Sequence, residues 1–125
     1  MKRIINTKNA PAAVGPYSQA VEVNGTLYIS GQIGLAPHTG KIVDGGIEKQ
    51  TEQVLKNILA ILEKAGFSTG NVVKTTCLLV NIEDFQTVNK LYGEVFEEAR
   101  PARATYQVVN LPLGALIEIE AVAVR

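Results

Sequence analysis

The sequence predicts an α+β fold: a single mixed β-sheet with two helices packed on one of its faces. Three observations carry this. Two stretches repeat apolar residues at three- and four-residue spacing, as amphipathic helices do. Five or six short stretches are instead β-branched or alternate apolar with polar residues, the period of strands. The elements run β-β-β-α-β-α-β-β with no repeat, linker or low-complexity tract, so residues 1–125 are expected to form one domain.

Lys2–Ile5 is the first short strand. Ala10–Pro16 contains Pro11, Gly15 and Pro16 and is irregular. Gln19–Val23 and Thr26–Ser30 flank Asn24-Gly25, the strongest two-residue hairpin turn. Asn24-Gly25-Thr26 also matches a glycosylation sequon, but the flanking apolar runs favour the hairpin. Gly31–Gly46 holds five of the eleven glycines and reads as strand end and loop. From Ile47 the period changes: Val54, Leu55, Ile58, Ile61, Leu62 and Ala65 share a helical stripe. Glu48 in its first turn and Lys64 in its last suit the helix dipole, and Gly66 suits a left-handed cap.

Val72–Val80 is apolar on both faces, with Val73, Cys77 and Leu79 against Val72, Leu78 and Val80. Asn81 or Asp84 caps a second helix whose stripe is Phe85, Val88, Leu91, Tyr92, Val95 and Phe96. Arg100-Pro101 ends it, since the residue before proline is driven out of helical geometry. Ala104–Val109 and Leu116–Val124 complete the strands. Two helices cover one sheet face only, yet Val72–Val80 and Leu116–Val124 are apolar on both. The simplest cover for the second face is another copy of the chain.

Composition removes several classes of function. There are 12 basic and 12 acidic side chains, so the net charge is zero and no basic run tracks phosphates. These 24 charges fall short of the about 31 that an average chain of this length carries. One Cys and one His exclude a disulfide framework and a multi-cysteine zinc site. No apolar run resembles a signal peptide or a membrane helix, so the chain is expected to be soluble and cytoplasmic.

Few residues remain to carry chemistry. His38 lies in a turn, Pro37-His38-Thr39-Gly40, and Cys77 alternates with apolar neighbours as a small buried hydrophobe. Gly31-Gln32-Ile33-Gly34 has no lysine and is weak as a phosphate loop. Arg103 stands between two alanines near a strand start, where its planar fork either grips a carboxylate ligand or forms a structural ion pair. Glu118 and Glu120 share a strand face with Leu116, Val122 and Val124. Either that face is an edge meeting water, or one carboxyl is desolvated and able to move a proton near neutrality. Tyr17 follows Gly15-Pro16, in a turn that packs it or aims its phenol into a cleft.

Four stretches together resemble one family. They are Ala10-Pro11-Ala12-Ala13-Val14-Gly15-Pro16-Tyr17-Ser18-Gln19, Ile29-Ser30-Gly31-Gln32-Ile33, Arg100-Pro101-Ala102-Arg103 and Ile117-Glu118-Ile119-Glu120-Ala121. In order and spacing the chain is similar throughout to the reactive intermediate deaminases, the RidA subfamily of the YjgF/YER057c/UK114 proteins. The resemblance implies a chorismate-mutase-like fold, a homotrimer with clefts at subunit interfaces, and no cofactor or metal. It implies hydrolysis of 2-imino acids such as 2-iminopropanoate and 2-iminobutanoate, and their enamines, to 2-keto acids and ammonia. Arg103 matches the residue that binds the substrate carboxylate, and Glu118 the one that holds and activates water. Ser30 and the Gly31 backbone match the strand end lining the cleft, Tyr17 an aromatic near the imine nitrogen, and Asn89 a helix residue of the pocket. Many relatives read Arg-Ser-Cys where this chain reads Arg103-Ala104-Thr105. A mechanism needing that thiol therefore cannot operate here, and the backbone N–H of Thr105 is left to bind the carboxylate. The alternative expectation is a non-catalytic oligomer that binds small carboxylates or acts as a chaperone-like regulator. A nuclease role is disfavoured by the neutral charge and lone turn-bound His38. No nucleic-acid or membrane partner is expected.

Overall fold

In a computed structural model describing residues Met1–Arg125, Asn24 and Gly25 take left-handed backbone angles, φ 50° and 82°. These are the angles of a type I′ turn, and they close the expected hairpin. The strands are β1 (Lys2–Ile5), β2 (Ala20–Val23), β3 (Thr26–Gln32), β4 (Val72–Leu79), β5 (Ala102–Gln107) and β6 (Ile117–Val124). The helices are α1 (Gly46–Ala65) and α2 (Phe85–Phe96), with short 3-10 turns at Thr69–Asn71, Ile82–Asp84 and Pro112–Gly114. One six-stranded sheet forms in the order β1-β2-β3-β6-β4-β5. Every pair is antiparallel except β4–β5, which α2 joins as a crossover and which is parallel. The sheet is mixed and the fold is α+β, as expected.

Period two along β6 decides which side is which. Ile117, Ile119, Ala121 and Ala123 are buried against the helices, while Glu118, Glu120, Val122 and Val124 point to the other face. The α1 stripe of Val54, Leu55, Ile58, Ile61 and Leu62 meets the buried set, joined from α2 by Val88, Tyr92 and Phe96. Truncating a fully buried isoleucine of this core, such as Ile58 or Ile119, costs about 2–5 kcal/mol. Gly66 ends α1 at φ 81°, and Arg100, at φ 45° before Pro101, turns the chain away after α2.

Several details differ from the sequence reading. A bulge between Val72 and Lys74 breaks the alternation of β4, so Val72 joins Cys77 and Leu79 in the core and Val73 is exposed. β5 begins two residues earlier than expected, which places Arg103 inside the strand rather than before it. Asn81 caps the 3-10 turn ahead of α2, its Oδ1 accepting from the Glu83 N–H, while Asp84 makes no capping bond. Most consequential is the place of β6. It lies between β3 and β4, so the face bearing Glu118 and Glu120 is not an edge. The open face also carries Tyr28, Leu78 and Tyr106, and neither helix packs on it. No helix is long and apolar enough to cross a membrane.

Candidate functional site

Where β3 passes β6, Ile29 pairs with Ala121 and Gln32 with Ile119, so Ser30 and Gly31 together oppose Glu120. This extra residue is a bulge, and it brings the backbone of Gly31 under the side chain of Glu118. A Cβ on Gly31 would stand 2.8 Å from Glu118 Cδ and 3.1 Å from Cγ, so only glycine leaves the carboxylate where it is. Glu118 has no hydrogen-bond or ion-pair partner in the chain. Burial, and secondarily the neighbouring Glu120 carboxylate, raise its pKa above the ordinary value.

Glu118 and Gly31 share a cleft of about 470 Å³ with Tyr17, Val14, Pro112 and Leu113. The wall carrying Tyr17 has no regular structure, and a buried side chain holds it. Gln19 accepts from the Thr7 N–H through Oε1 at 2.7 Å, and its Nε2 donates to the carbonyls of Thr7, Ala10 and Pro11. Ser30 ties the same wall to the bulge: its Oγ donates to the Ser18 carbonyl at 2.6 Å, and its N–H to that of Gln19. From α1, Asn57 donates to the carbonyls of Ile33 and Leu35, and Gln50 accepts from the Leu116 N–H. These buried amides explain why α1 carries polar residues on its inner face.

Arg103 stands elsewhere. In the parallel register of β4 and β5 it pairs with Thr75, which is fully buried under the helices, so Arg103 faces α2. Three α2 residues at helical spacing surround its guanidinium. Asn89 Oδ1 accepts from Nη1 at 2.8 Å, and the rings of Tyr92 and Phe85 lie 4.7 and 5.4 Å from Cζ. The four ion pairs join Arg3 and Arg125 to Glu22, Lys49 to Glu52, and Arg100 to Glu97, and none includes Arg103. The structural ion pair left open by the sequence is therefore absent, and most of the guanidinium fork is unused. Thr105 lies two residues along β5 on the same face, opposite Cys77. Its Oγ1 is buried without a hydrogen-bond partner of normal geometry, and the adjacent thiol is only a weak donor. Burial pushes Cys77 up to about 11, so this thiol is inert near neutrality.

The expected site residues thus fall into two groups. Tyr17, Gly31 and Glu118 line one cleft, with Ser30 bracing its wall rather than lining it. Arg103, Asn89 and Thr105 form the second group on the helix-covered face, beside shallow depressions of about 380 and 540 Å³. Within one chain the two groups do not meet. Phe85, Tyr92 and Gln19 are not among the site residues expected from the sequence, which reads the first two as core stripe and Gln19 as a strand start. The first two carried a usable signal, since Phe85, Asn89 and Tyr92 stand at i, i+4 and i+7.

Residues 7–125 match the family described as Endoribonuclease L-PSP. A human protein named 2-iminobutanoate/2-iminopropanoate deaminase is 54% identical over 125 residues, covering 100% of this chain and 91% of the human one. Among solved structures, YyfA from Yersinia pestis, of the conserved Rid protein family, matches with TM-score 0.97 at 52% identity over 100% of both chains. The structure of E. coli TdcF with bound serine matches with TM-score 0.92 at 40% identity, covering 98% of each chain.

Proposed function

The chain belongs to the Endoribonuclease L-PSP family and, within it, to the imine deaminases of the RidA type, and from that membership we propose its reaction. It hydrolyses reactive 2-imino acids, 2-iminopropanoate and 2-iminobutanoate among them, to 2-keto acids and ammonia. In the structure, the reading is carried by Arg103: an arginine presented by two rings and an amide, with no carboxylate of its own. A 2-imino acid supplies that carboxylate, bonded directly to the carbon to be attacked.

Glu118 supplies the proton transfers. As its carboxylate accepts a proton from water, the water oxygen bonds to C2 and the C=N π electrons move to nitrogen. With the imine nitrogen protonated at the start, the proton returned to it makes an ammonium leaving group. As the C2–N bond breaks, the C2 hydroxyl gives its proton to the Glu118 carboxylate and becomes the keto C=O, and that proton departs with the ammonia as ammonium. A carboxyl raised toward neutrality by burial suits both steps. Orientation and proton transfer suffice, because no covalent nucleophile is required. The Thr105 backbone N–H is proposed as a second donor to the carboxylate, and Tyr17 as the aromatic near the imine nitrogen.

Arg103 and Glu118 lie on opposite sheet faces, so the complete cleft is proposed to form between copies, in a homotrimer. The uncovered apolar face and the low count of charges support that assembly. A reducing, cytoplasmic setting is supported by the single buried and unpaired Cys77.

One observation favours a second reading, a carboxylate-binding module without turnover. The TdcF relative holds serine, whose carboxylate also adjoins a nitrogen-bearing carbon. Ammonia release separates the two readings. With iminopropanoate generated in situ by a pyridoxal-phosphate dehydratase, the parent is expected to accelerate ammonia formation and Arg103→Ala to abolish the acceleration. Full activity in that variant removes Arg103 as the anchor, and no activity in the parent leaves the binding module.

A further inference from the structure

Tyr92 is nearly buried and is one of the two rings that present Arg103. Its ring lies beneath the Arg103 guanidinium, 4.7 Å from Cζ. Its hydroxyl is fixed at 2.6 Å to Oγ1 of Thr75, a residue with no exposure. Thr75 is the β4 residue that pairs with Arg103 in the parallel ladder. The ring is therefore anchored to the strand position beside the arginine it supports. The Phe96 ring packs tilted against it, with 4.7 Å between centroids. An arginine with one hydrogen bond would otherwise sample many rotamers, and its fork would meet a carboxylate in the right plane only part of the time.

We propose that Tyr92, pinned by Thr75, is a positioning residue that holds the Arg103 guanidinium in the plane that receives the substrate carboxylate. Tyr92 acts through Arg103 and touches no substrate. The inference rests on the carboxylate-anchor role of Arg103 given above. It commits the ring face, rather than the phenol hydroxyl, to contact with the cation.

The test measures the affinity of the intact protein for 2-oxobutanoate, a product of the reaction, by calorimetry, beside kcat for ammonia release. Tyr92→Leu is expected to weaken binding about tenfold, in the range of a lost cation–π contact, with kcat at saturation within about twofold of the parent. Tyr92→Phe keeps the ring and is expected to restore affinity to within about threefold. The proposal is overturned by parental affinity in Tyr92→Leu, or by Tyr92→Phe losing as much as Tyr92→Leu. Should Tyr92→Leu fail to fold, Thr75→Val keeps the shape and removes the pin. A twofold to threefold loss (about 0.4–0.7 kcal/mol) is expected there, and unchanged affinity overturns the proposal. A parent that binds 2-oxobutanoate without releasing ammonia removes the deaminase reading and leaves this one standing. A parent that does not bind it removes the Arg103 anchor itself.

Discussion

Arg103 and Glu118 project from opposite faces of the same sheet. Arg103 pairs with buried Thr75 and turns toward α2, whereas Glu118 pairs with Leu78 and turns to the open face. If one cleft uses both, they come from different copies of the chain, and this is directly measurable. Arg103→Ala and Glu118→Gln should each be inactive alone. Unfolded together and refolded as mixed oligomers, they should recover activity, because some clefts pair an intact Arg103 with an intact Glu118. For random mixing in a closed trimer, about a quarter of clefts are complete. Absence of recovery in verified mixed oligomers would place both groups in one chain and refute the shared cleft.

Gly31 offers a second test that leaves the titrating group in place. A methyl at this position meets Glu118 Cδ at 2.8 Å, so the carboxylate must swing away from the bulge. Gly31→Ala is expected to lose turnover nearly as completely as Glu118→Gln, while its circular dichroism spectrum and chain association stay those of the parent. Unimpaired turnover would show that Glu118 works from another rotamer.

The raised pKa of Glu118 predicts two pH effects of known sign. Turnover falls as acid protonates the base, so the acidic limb of kcat/KM lies above the ordinary carboxyl value of 4.5. Glu120→Gln removes the lesser of the two causes and should move that limb down. For stability, the unfolded chain releases this proton near 4.5 while the folded chain retains it to higher pH. The group's contribution therefore worsens as pH rises through that window. Glu118→Gln should then melt higher than the parent at neutral pH, with the difference vanishing at about pH 4. A variant that melts lower at neutral pH would mean the carboxylate has a stabilising partner.

Much of the fold is legible because it depends on local period. The 3.6-residue stripe of α1, the Asn24-Gly25 turn and the alternation of Ile117–Val124 need no knowledge of the rest of the chain. What was not legible depends on pairing between distant segments. The last strand inserts between β3 and β4, and that insertion, rather than its own sequence, removes Glu118 from an edge. Likewise the bulge at Val72 inverts which of two valines is buried, and adjacent valines carry no mark of it. Arg103 stood out between alanines, but its face was set by the parallel register with β4. The resemblance to the deaminases named individual site residues. Only the fold divides them into two groups and engages Ser30 with Ser18.

Gln19 shows how strongly a buried amide can hold an irregular wall, and it yields the last prediction. At 2% exposure it makes one accepted and three donated hydrogen bonds to backbone groups of Thr7, Ala10 and Pro11. Gln19→Ala leaves an N–H and carbonyls without partners, at a cost of about 2–4 kcal/mol. Gln19→Glu is the sharper probe because it is nearly isosteric. It retains the acceptor for the Thr7 N–H but aims a carboxylate oxygen at three carbonyl oxygens, so at neutral pH it should unfold more easily than Gln19→Ala. Protonation converts that oxygen into a donor, and chemical denaturation at about pH 5 should reverse the order of the two variants. The same order at both pH values would mean that the wall moves to hydrate the carboxylate. In that event the segment carrying Tyr17 is looser than its hydrogen bonds imply.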